Sequence, residues 1–351
     1  MVNFEDVVSL LLGGEETRQR AAQIKSSTVG DKVYLRGLIE LSNKCIKNCL
    51  YCGIRSANKR VSRYDLSDEK VIEAARYAFE RGYGSIAIQA GEQASSNFTK
   101  RITGILHSVK DLSQGELGVT LSLGEQSYDT LSEWRAAGAD RYLMRIESSN
   151  KSLYKSIHPK DGKHSFERRV EVLRDLKTLS YQVGTGVMIG LPNQTIEDLA
   201  GDIMFFQDMD IDMCGMGPYI EHYDTPLYEV ARSVKMMTLE ERFELSLQMV
   251  ATLRCAMPNV NIAATTALQA IHTCGREDAL AIGANVLMPN ITPSTDISNY
   301  NLYDNKPIRE GEMGGGDEEL FATLRARGFE IGLHEQGNSL HYRNKKRSSK
   351  I

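Results

Sequence analysis

Cys45, Cys49 and Cys52 lie in one short run, Lys44-Cys-Ile-Lys-Asn-Cys-Leu-Tyr-Cys-Gly53. The spacing is C-x3-C-x2-C, with an aromatic residue, Tyr51, before the last cysteine. Cysteine thiolates hold iron–sulfur clusters, and a cluster of four irons normally takes four of them. Three leave one iron open to bind something else. Zinc sites instead join a C-x2-C unit to a second Cys or His pair further along. Cys49 and Cys52 form one such unit, but the third nearby thiol is Cys45 and no histidine lies within the run. A disulfide framework suits a small secreted chain, not 351 residues with six cysteines. The flanking polar and basic residues, Asn43, Lys44, Lys47 and Asn48, argue against a chance cluster of buried thiols. The run reads as a ligand set for an iron–sulfur cluster with one open position.

Elements must hold that run in place. The length fits one α/β barrel, about 250 residues, with extensions. Short apolar runs at 33–40, 85–89, 118–122, 141–146, 182–189, 213–219, 261–264 and 286–288 read as strands. Between them, 67–81, 128–137, 165–179, 195–209 and 239–256 carry apolar residues at three- and four-residue steps, as amphipathic helices do. Eight strands alternating with helices predict an α/β fold, a complete (βα)8 TIM-type barrel rather than an open sheet. Ser67, Thr195 and Thr238 stand where N-caps would, each ahead of acidic residues. Gly82 and Gly138 follow two helices, where C-terminal caps sit. The organisation expected is a helical extension over 1–30, the barrel over 31–306, and a C-terminal region over 307–351. That last region holds one more helix and a polar, basic end, read as a frayed, solvated terminus. The formal net charge of −4 gives no reason to expect nucleic acid or an anionic membrane as partner. No run of eighteen apolar residues suggests a membrane span, and the first residues lack the pattern of a secretory signal. A reducing, cytoplasmic location is expected.

In barrels of this kind the active site lies at the C-terminal ends of the strands. The cysteine run follows the first strand directly. Gln89, Gly91 and Glu92 follow at the end of the second, Ser122 and Glu125 at the third, Arg145 and Glu147 at the fourth. Met213 and Cys214 belong to the sixth, Thr265 and Thr266 end the seventh, and Met288 and Asn290 the eighth. The cysteine spacing resembles that of the radical SAM superfamily, whose open iron binds S-adenosylmethionine (SAM). That ligand carries an aminocarboxylate, a sulfonium, a ribose and an adenine. Arginine's planar fork suits the carboxylate. Carboxylates suit the ammonium and the ribose hydroxyls, and Gly91 lets the backbone come close. Any one of these residues fits a structural ion pair or a turn as well; their joint placement on the cysteine side points to a ligand. His158, His164, His222 and His272 form no metal-binding pair and read as solvent-exposed or hydrogen-bonding. Cys255 reads as a buried helix residue, and Cys214 and Cys274 as closer to the cavity rim.

Longer runs narrow the resemblance. Ile39-Glu-Leu-Ser-Asn43 leads into the cysteines, and Gln89-x-Gly-Glu92, Val119-Thr-Leu-Ser-Leu-Gly-Glu125, Gly190-Leu-Pro192 and Asp224-Thr-Pro-Leu227 follow. Ala137-Gly-Ala-Asp-Arg-Tyr-Leu143, Gly217-Pro218, Ala264-Thr-Thr-Ala267 and Gly283-Ala-Asn-Val-Leu-Met-Pro-Asn290 complete the set. Over about residues 30–306 the chain resembles the HydE family, the radical SAM maturases of [FeFe]-hydrogenase. That branch is similar to biotin synthase and methylornithine synthase. The resemblance implies that Cys45, Cys49 and Cys52 hold a [4Fe–4S] cluster with SAM on the fourth iron. Tyr51 would lie near the adenine, Gly91 and Glu92 at the amino group, Arg169 at the carboxylate, and Ser122 with Glu147 near the ribose. Gln89 and Arg145 belong to the same cofactor-binding set. Arg36, Met213, Thr265, Thr266, Met288, Tyr300 and Tyr303 match positions lining that family's cavity. The implied substrate is an iron–carbonyl–cyanide–cysteine complex, with other hydrogenase maturases and an electron donor as partners.

Some family members carry three further cysteines near the C-terminus for a second cluster. This chain has none after Cys274, so no second cluster is expected. Two rival readings use the same residues: a radical SAM mutase on an amino acid, like methylornithine synthase, and a non-catalytic iron–sulfur scaffold.

Overall fold

The computed structural model describes residues 2–293, 299–307 and 316–348. Eight parallel strands form its centre: β1 (Lys32–Ser42), β2 (Ser85–Ala90), β3 (Gly118–Ser122), β4 (Arg141–Leu143), β5 (Gln182–Thr185), β7 (Met213–Cys214), β9 (Asn261–Ile262) and β10 (Val286–Leu287). Their spatial order is β10, β1, β2, β3, β4, β5, β7, β9. A parallel bridge between Ala263 and Val286 joins the two ends and closes the barrel. All eight apolar runs read from the sequence are therefore strands. Val33, Leu35, Ile39 and Leu41 of β1 are buried, as expected of a strand covered on both faces.

The fifth and sixth runs are each broken. β6 (Met188–Ile189) and β8 (Gly217–Pro218) continue beyond β5 and β7 as a separate parallel pair. At the break Gly186 and Gly215 face each other, and a Cβ on Gly186 would strike the Gly215 carbonyl. Helices surround the strands where periodicity placed them: Asp68–Glu80, Tyr128–Ala136, Phe166–Thr178, Ile196–Asp208 and Leu239–Ala256. Ser67 accepts from the Lys70 N–H, while Thr195 and Thr238 form reciprocal capping boxes with Asp198 and Glu241. Gly82 and Gly138 take positive φ, the conformation that ends a helix cheaply with glycine.

Two helices, Phe4–Leu12 and Gly14–Thr28, precede β1. They lie against Leu239–Ala256, where Gln248 bonds Arg18 and the Leu10 carbonyl. The far end of the chain departs from expectation. After helix Gly316–Ala326, β11 (Glu330–Ile331) pairs with the start of β1. Residues 332–339 then cross the N-terminal end of the barrel. Arg141 Nη2 donates to the Gln336 carbonyl and to Asn338 Oδ1, at 2.7 and 2.6 Å. Asn261 and Arg36 donate to the Gly337 carbonyl, and Gln182 holds Asn338 and Ser339. The basic end is not frayed through residue 348: Leu340–Ser348 is a helix. His341 and Lys345 pair with Asp210, and Lys345 also reaches Asp212. These buried or half-buried carboxylates supply partners that a local reading of the basic run could not see. Residues 349–351, the last of that run, lie outside the described residues.

Candidate active site

A cavity of about 370 Å³ occupies the barrel interior and opens at the C-terminal ends of the strands. Its wall is built in layers set by the two-residue alternation of the strands. Arg36, Leu38 and Glu40 from β1 line it on one side. Every residue of the predicted cluster, cofactor and cavity sets lines it: Cys45, Cys49, Cys52, Tyr51, Gln89, Gly91, Glu92, Ser122, Arg145, Glu147, Arg169, Arg36, Met213, Thr265, Thr266, Met288, Tyr300 and Tyr303; Glu125 and Asn290, also read at strand ends, stand behind that wall. Cys214 is in the wall too; Cys274 is exposed and outside it, and Cys255 is buried in its helix, beside Ala21 and Ala251.

The cysteine loop leaves β1 and folds back under its own arginine. Arg63 donates to the carbonyls of Asn43, Ile54, Arg55 and Asn58, so one guanidinium ties both ends of the run. Gly91 lies against that loop. A Cβ there would fall 2.7 Å from Cys45 Cβ and closer still to the Lys44 carbonyl, so only glycine lets β2 end this near the cysteines. Backbone N–H groups of Lys47 and Glu92 point to the Cys45 sulfur, and that of Ile54 to Cys52. Burial raises all three thiols, Cys49 to about 12. Buried thiols of this kind become thiolates when iron replaces their protons, and the backbone donors suit that charged form. Among the described residues no three His, Cys, Asp or Glu side chains gather round one ion-sized point. The three cysteines instead face a shared volume of the cavity. The donor set fits a cluster in which three irons each take one thiolate and the fourth is left open.

Charged groups form a network beside the cysteines. Glu125 binds Arg169 Nε at 2.8 Å and Lys47 Nζ at 2.9 Å. Glu92 accepts from the Glu125 N–H at 2.8 Å and lies 3.4 Å from Lys47. Glu125 is held below the usual carboxylate range by Arg169 and Lys47, against its burial, whereas burial dominates at Glu92 and raises it. Arg145 meets Glu147 at 3.1 Å, and Glu147 sits at a φ of 65°. Such a backbone angle is uncommon outside glycine and marks functional sites more than average. Tyr51 packs edge-on against His158, ring centres 5.5 Å apart. Burial depresses His158 to about 3, so its ring is neutral. His158 and His164 are thus the hydrogen-bonding kind: His158 meets the Tyr154 carbonyl, and His164 accepts from the Asn48 N–H.

Sequence reasoning missed the opposite wall. Glu40 is buried in β1 and binds Lys306 and Asn290 Nδ2. Lys306 also donates to the Tyr300 carbonyl at 2.8 Å and lies over the Tyr300 ring, whose hydroxyl accepts from Gln89. A charge inside an apolar strand was the available signal for Glu40; nothing local marks Lys306. Residues 299–307 pass over the mouth of the cavity. Asn43 bonds the Asn299 carbonyl and the Gly53 N–H bonds the Leu302 carbonyl. On the floor, Arg36 Nη1 lies 3.2 Å from the Met213 sulfur.

The Radical SAM superfamily matches residues 39–206, from the end of β1 to the helix before β7. The chain is 43% identical to the [FeFe] hydrogenase maturase subunit HydE of Thermotoga maritima over 286 residues, 82% of this chain and 78% of that protein. The chain belongs to the HydE family. Like the rest of the radical SAM superfamily, this HydE-family chain is an enzyme whose cysteine motif implies a [4Fe–4S] cluster and SAM. It is 29% identical to a biotin synthase of Geotalea uraniireducens over 55% of its length, 58% of that protein. Solved structures share the fold: methylornithine synthase at TM-score 0.78 and 21% identity, covering 95% of both chains, and HydG of Carboxydothermus hydrogenoformans at 0.75 and 17%, covering 94% of this chain and 76% of that one.

Proposed function

We propose that this HydE-family enzyme acts in [FeFe]-hydrogenase maturation, cleaving SAM reductively and acting on an iron–carbonyl–cyanide–cysteine complex. The observation that carries the reading is the cavity itself. It joins the three cysteines at its mouth to Arg36, Met213, Thr265, Thr266 and Met288 deeper in one closed barrel.

Cys45, Cys49 and Cys52 hold the cluster. A cluster held there would supply the single electron needed for reductive cleavage of the SAM sulfonium, giving methionine and a 5′-deoxyadenosyl radical. The protein's part is to position and to exclude water. Gly91 and Glu92 take the amino group, Arg169 the carboxylate, Ser122 and Glu147 the ribose region, and Tyr51 the adenine, with Gln89 and Arg145 completing the pocket. Tyr51 is held for this by the neutral His158 ring. Arg36, Met213, Thr265, Thr266, Met288, Tyr300 and Tyr303 receive the substrate. One cluster per chain is expected, with other maturases supplying and accepting the iron fragment.

The test is anaerobic reconstitution, reduction by dithionite, and quantification of 5′-deoxyadenosine with and without the iron complex. Stimulation by the complex, with adenosyl attached to its sulfur, supports the maturase. Cleavage without stimulation moves the substrate toward an amino acid, and no cleavage from a loaded cluster leaves a scaffold. Cys49→Ala is expected to abolish both cluster and cleavage.

A further inference from the structure

The loop that carries the cysteines is a basic segment of an acidic chain. Six Lys and Arg and no Asp or Glu lie between positions 44 and 63, and four lysines and one aspartate between 151 and 163. The fold makes one surface of these two segments. The Leu50 N–H donates to the Ile157 carbonyl at 3.0 Å, the Asn48 N–H to His164 Nε2 at 3.0 Å, and Lys47 Nζ to the Lys163 carbonyl.

Part of this charge is already answered. Lys47 is buried against Glu92 and Glu125. Asp65 pairs with Lys44, Asp224 with Arg60, and Glu167 with Lys151, while Asp161 binds His164. Lys59, Lys155, Lys160 and Lys163 remain exposed to solvent on the same face. In the same cysteine loop Ile46 is 46% exposed. It is the residue directly after Cys45, so the protein surface lies one residue from a thiol of the cavity.

This placement has a use that the cavity does not supply. Reductive chemistry of the radical SAM type consumes one electron per SAM cleaved, and the electron must come from outside the barrel. We propose that the basic face formed by the cysteine loop and the 151–163 segment, with Lys59, Lys155, Lys160 and Lys163 exposed on it, docks an acidic one-electron carrier protein that reduces the cluster. The proposal rests on the radical SAM reading of the cysteines. The carrier loses one electron and leaves oxidised, and the cluster gains it; no other bond changes in this step. An exposed apolar residue carried by the same loop as exposed charges has the mixed composition of a protein docking site. Redox encounters need little buried area, so a shallow patch suffices. Opposite charges steer such encounters and raise the association rate. Salt weakens them, because exposed charges are screened beyond about 8 Å at physiological ionic strength.

The experiment compares two reductants on the reconstituted holoenzyme. One is dithionite, a small reductant that needs no docking. The other is a reduced flavodoxin with an acidic surface. The variant Lys59→Glu/Lys155→Glu/Lys160→Glu is read against wild type and against Arg20→Glu/Arg325→Glu/Arg347→Glu, which makes the same charge change at exposed positions elsewhere. The first variant is expected to lose at least about tenfold in flavodoxin-driven 5′-deoxyadenosine formation and to lose its salt dependence. Its dithionite-driven rate should stay at the wild-type level, and the control variant should keep both rates. An unchanged flavodoxin-driven rate overturns the docking face. Equal losses with both reductants, or an equal loss in the control, overturn it as well. Failure of wild type to cleave SAM with dithionite is a different result: it removes the radical SAM reading itself.

Discussion

Glu40 and Lys306 show how much a single side chain can set in this cavity. Both are nearly out of reach of water, with side chains 1% and 8% exposed. Burial raises Glu40 above the usual carboxylate range, while Lys306 and Asn290 pull it back. Removing one partner of a buried pair leaves the other charge uncompensated, which costs about 3–5 kcal/mol, whereas replacing both is often neutral. Lys306→Met is therefore expected to lower unfolding free energy by about 3 kcal/mol at pH 8. The sign with pH follows from the raised folded-state pKa. Without Lys306 it rises further, so folding favours the protonated carboxyl. The penalty is absent below the unfolded pKa and is complete once pH passes the folded one. Denaturant unfolding at pH 5 and pH 8 should show the smaller loss at pH 5, and Glu40→Gln/Lys306→Met should recover most of it at pH 8. An equal loss at both pH values would rule this account out. Glu92 was found because it lies in a run of matching residues at a strand end, whereas Arg169, Tyr300 and Tyr303 came only through the family resemblance. Lys306 comes from a loop after the last barrel strand, and only the closure of the barrel brings it to β1.

The elements were legible where one rule governs them. The strands are apolar runs bounded by polar loops, and five of the helices carry caps or three-to-four periodicity plain enough to read without tertiary context, although the helix Ser96–Leu112, capped by Ser95, was passed over. The breaks in the fifth and sixth runs were not legible, because they depend on how Gly186 meets Gly215 across two strands. The segment 332–339 was not legible either: Gln336, Asn338 and Ser339 look like solvent-facing loop, and their partners Arg141, Gln182 and Asn261 are far away in sequence. The junction between β2 and the cysteine loop gives a test at this scale. Gly91→Ala forces the loop away from β2, since the added methyl has no room against Cys45 and Lys44. The folded chain should keep its far-ultraviolet circular dichroism and lose most of its iron after reconstitution. A full iron complement in that variant would mean the loop position is not set there.

At the scale of the molecule the barrel has unlike ends. The cysteines stand at one, and the chain's own C-terminal segment covers the other. Ending the chain before residue 329 removes the six hydrogen bonds that Arg141, Asn261, Arg36 and Gln182 make with residues 336–339, and the pairs of His341 and Lys345 besides. At about 1 kcal/mol each, the melting temperature should fall by on the order of 10 °C, measured by calorimetry on the metal-free chain. An unchanged melting temperature would show that the segment is only laid on the surface. No helix among the described residues is long and apolar enough to cross a membrane.

The covered floor has a kinetic consequence. A vessel stoppered below fills and empties through its neck. Whatever rests against Arg36 and Met213 at the bottom must arrive before anything settles beneath the cysteines, and it departs only after that later arrival has gone. With the proposed roles, occupancy is expected to form a stack, last in and first out, and turnover to follow an order set by depth.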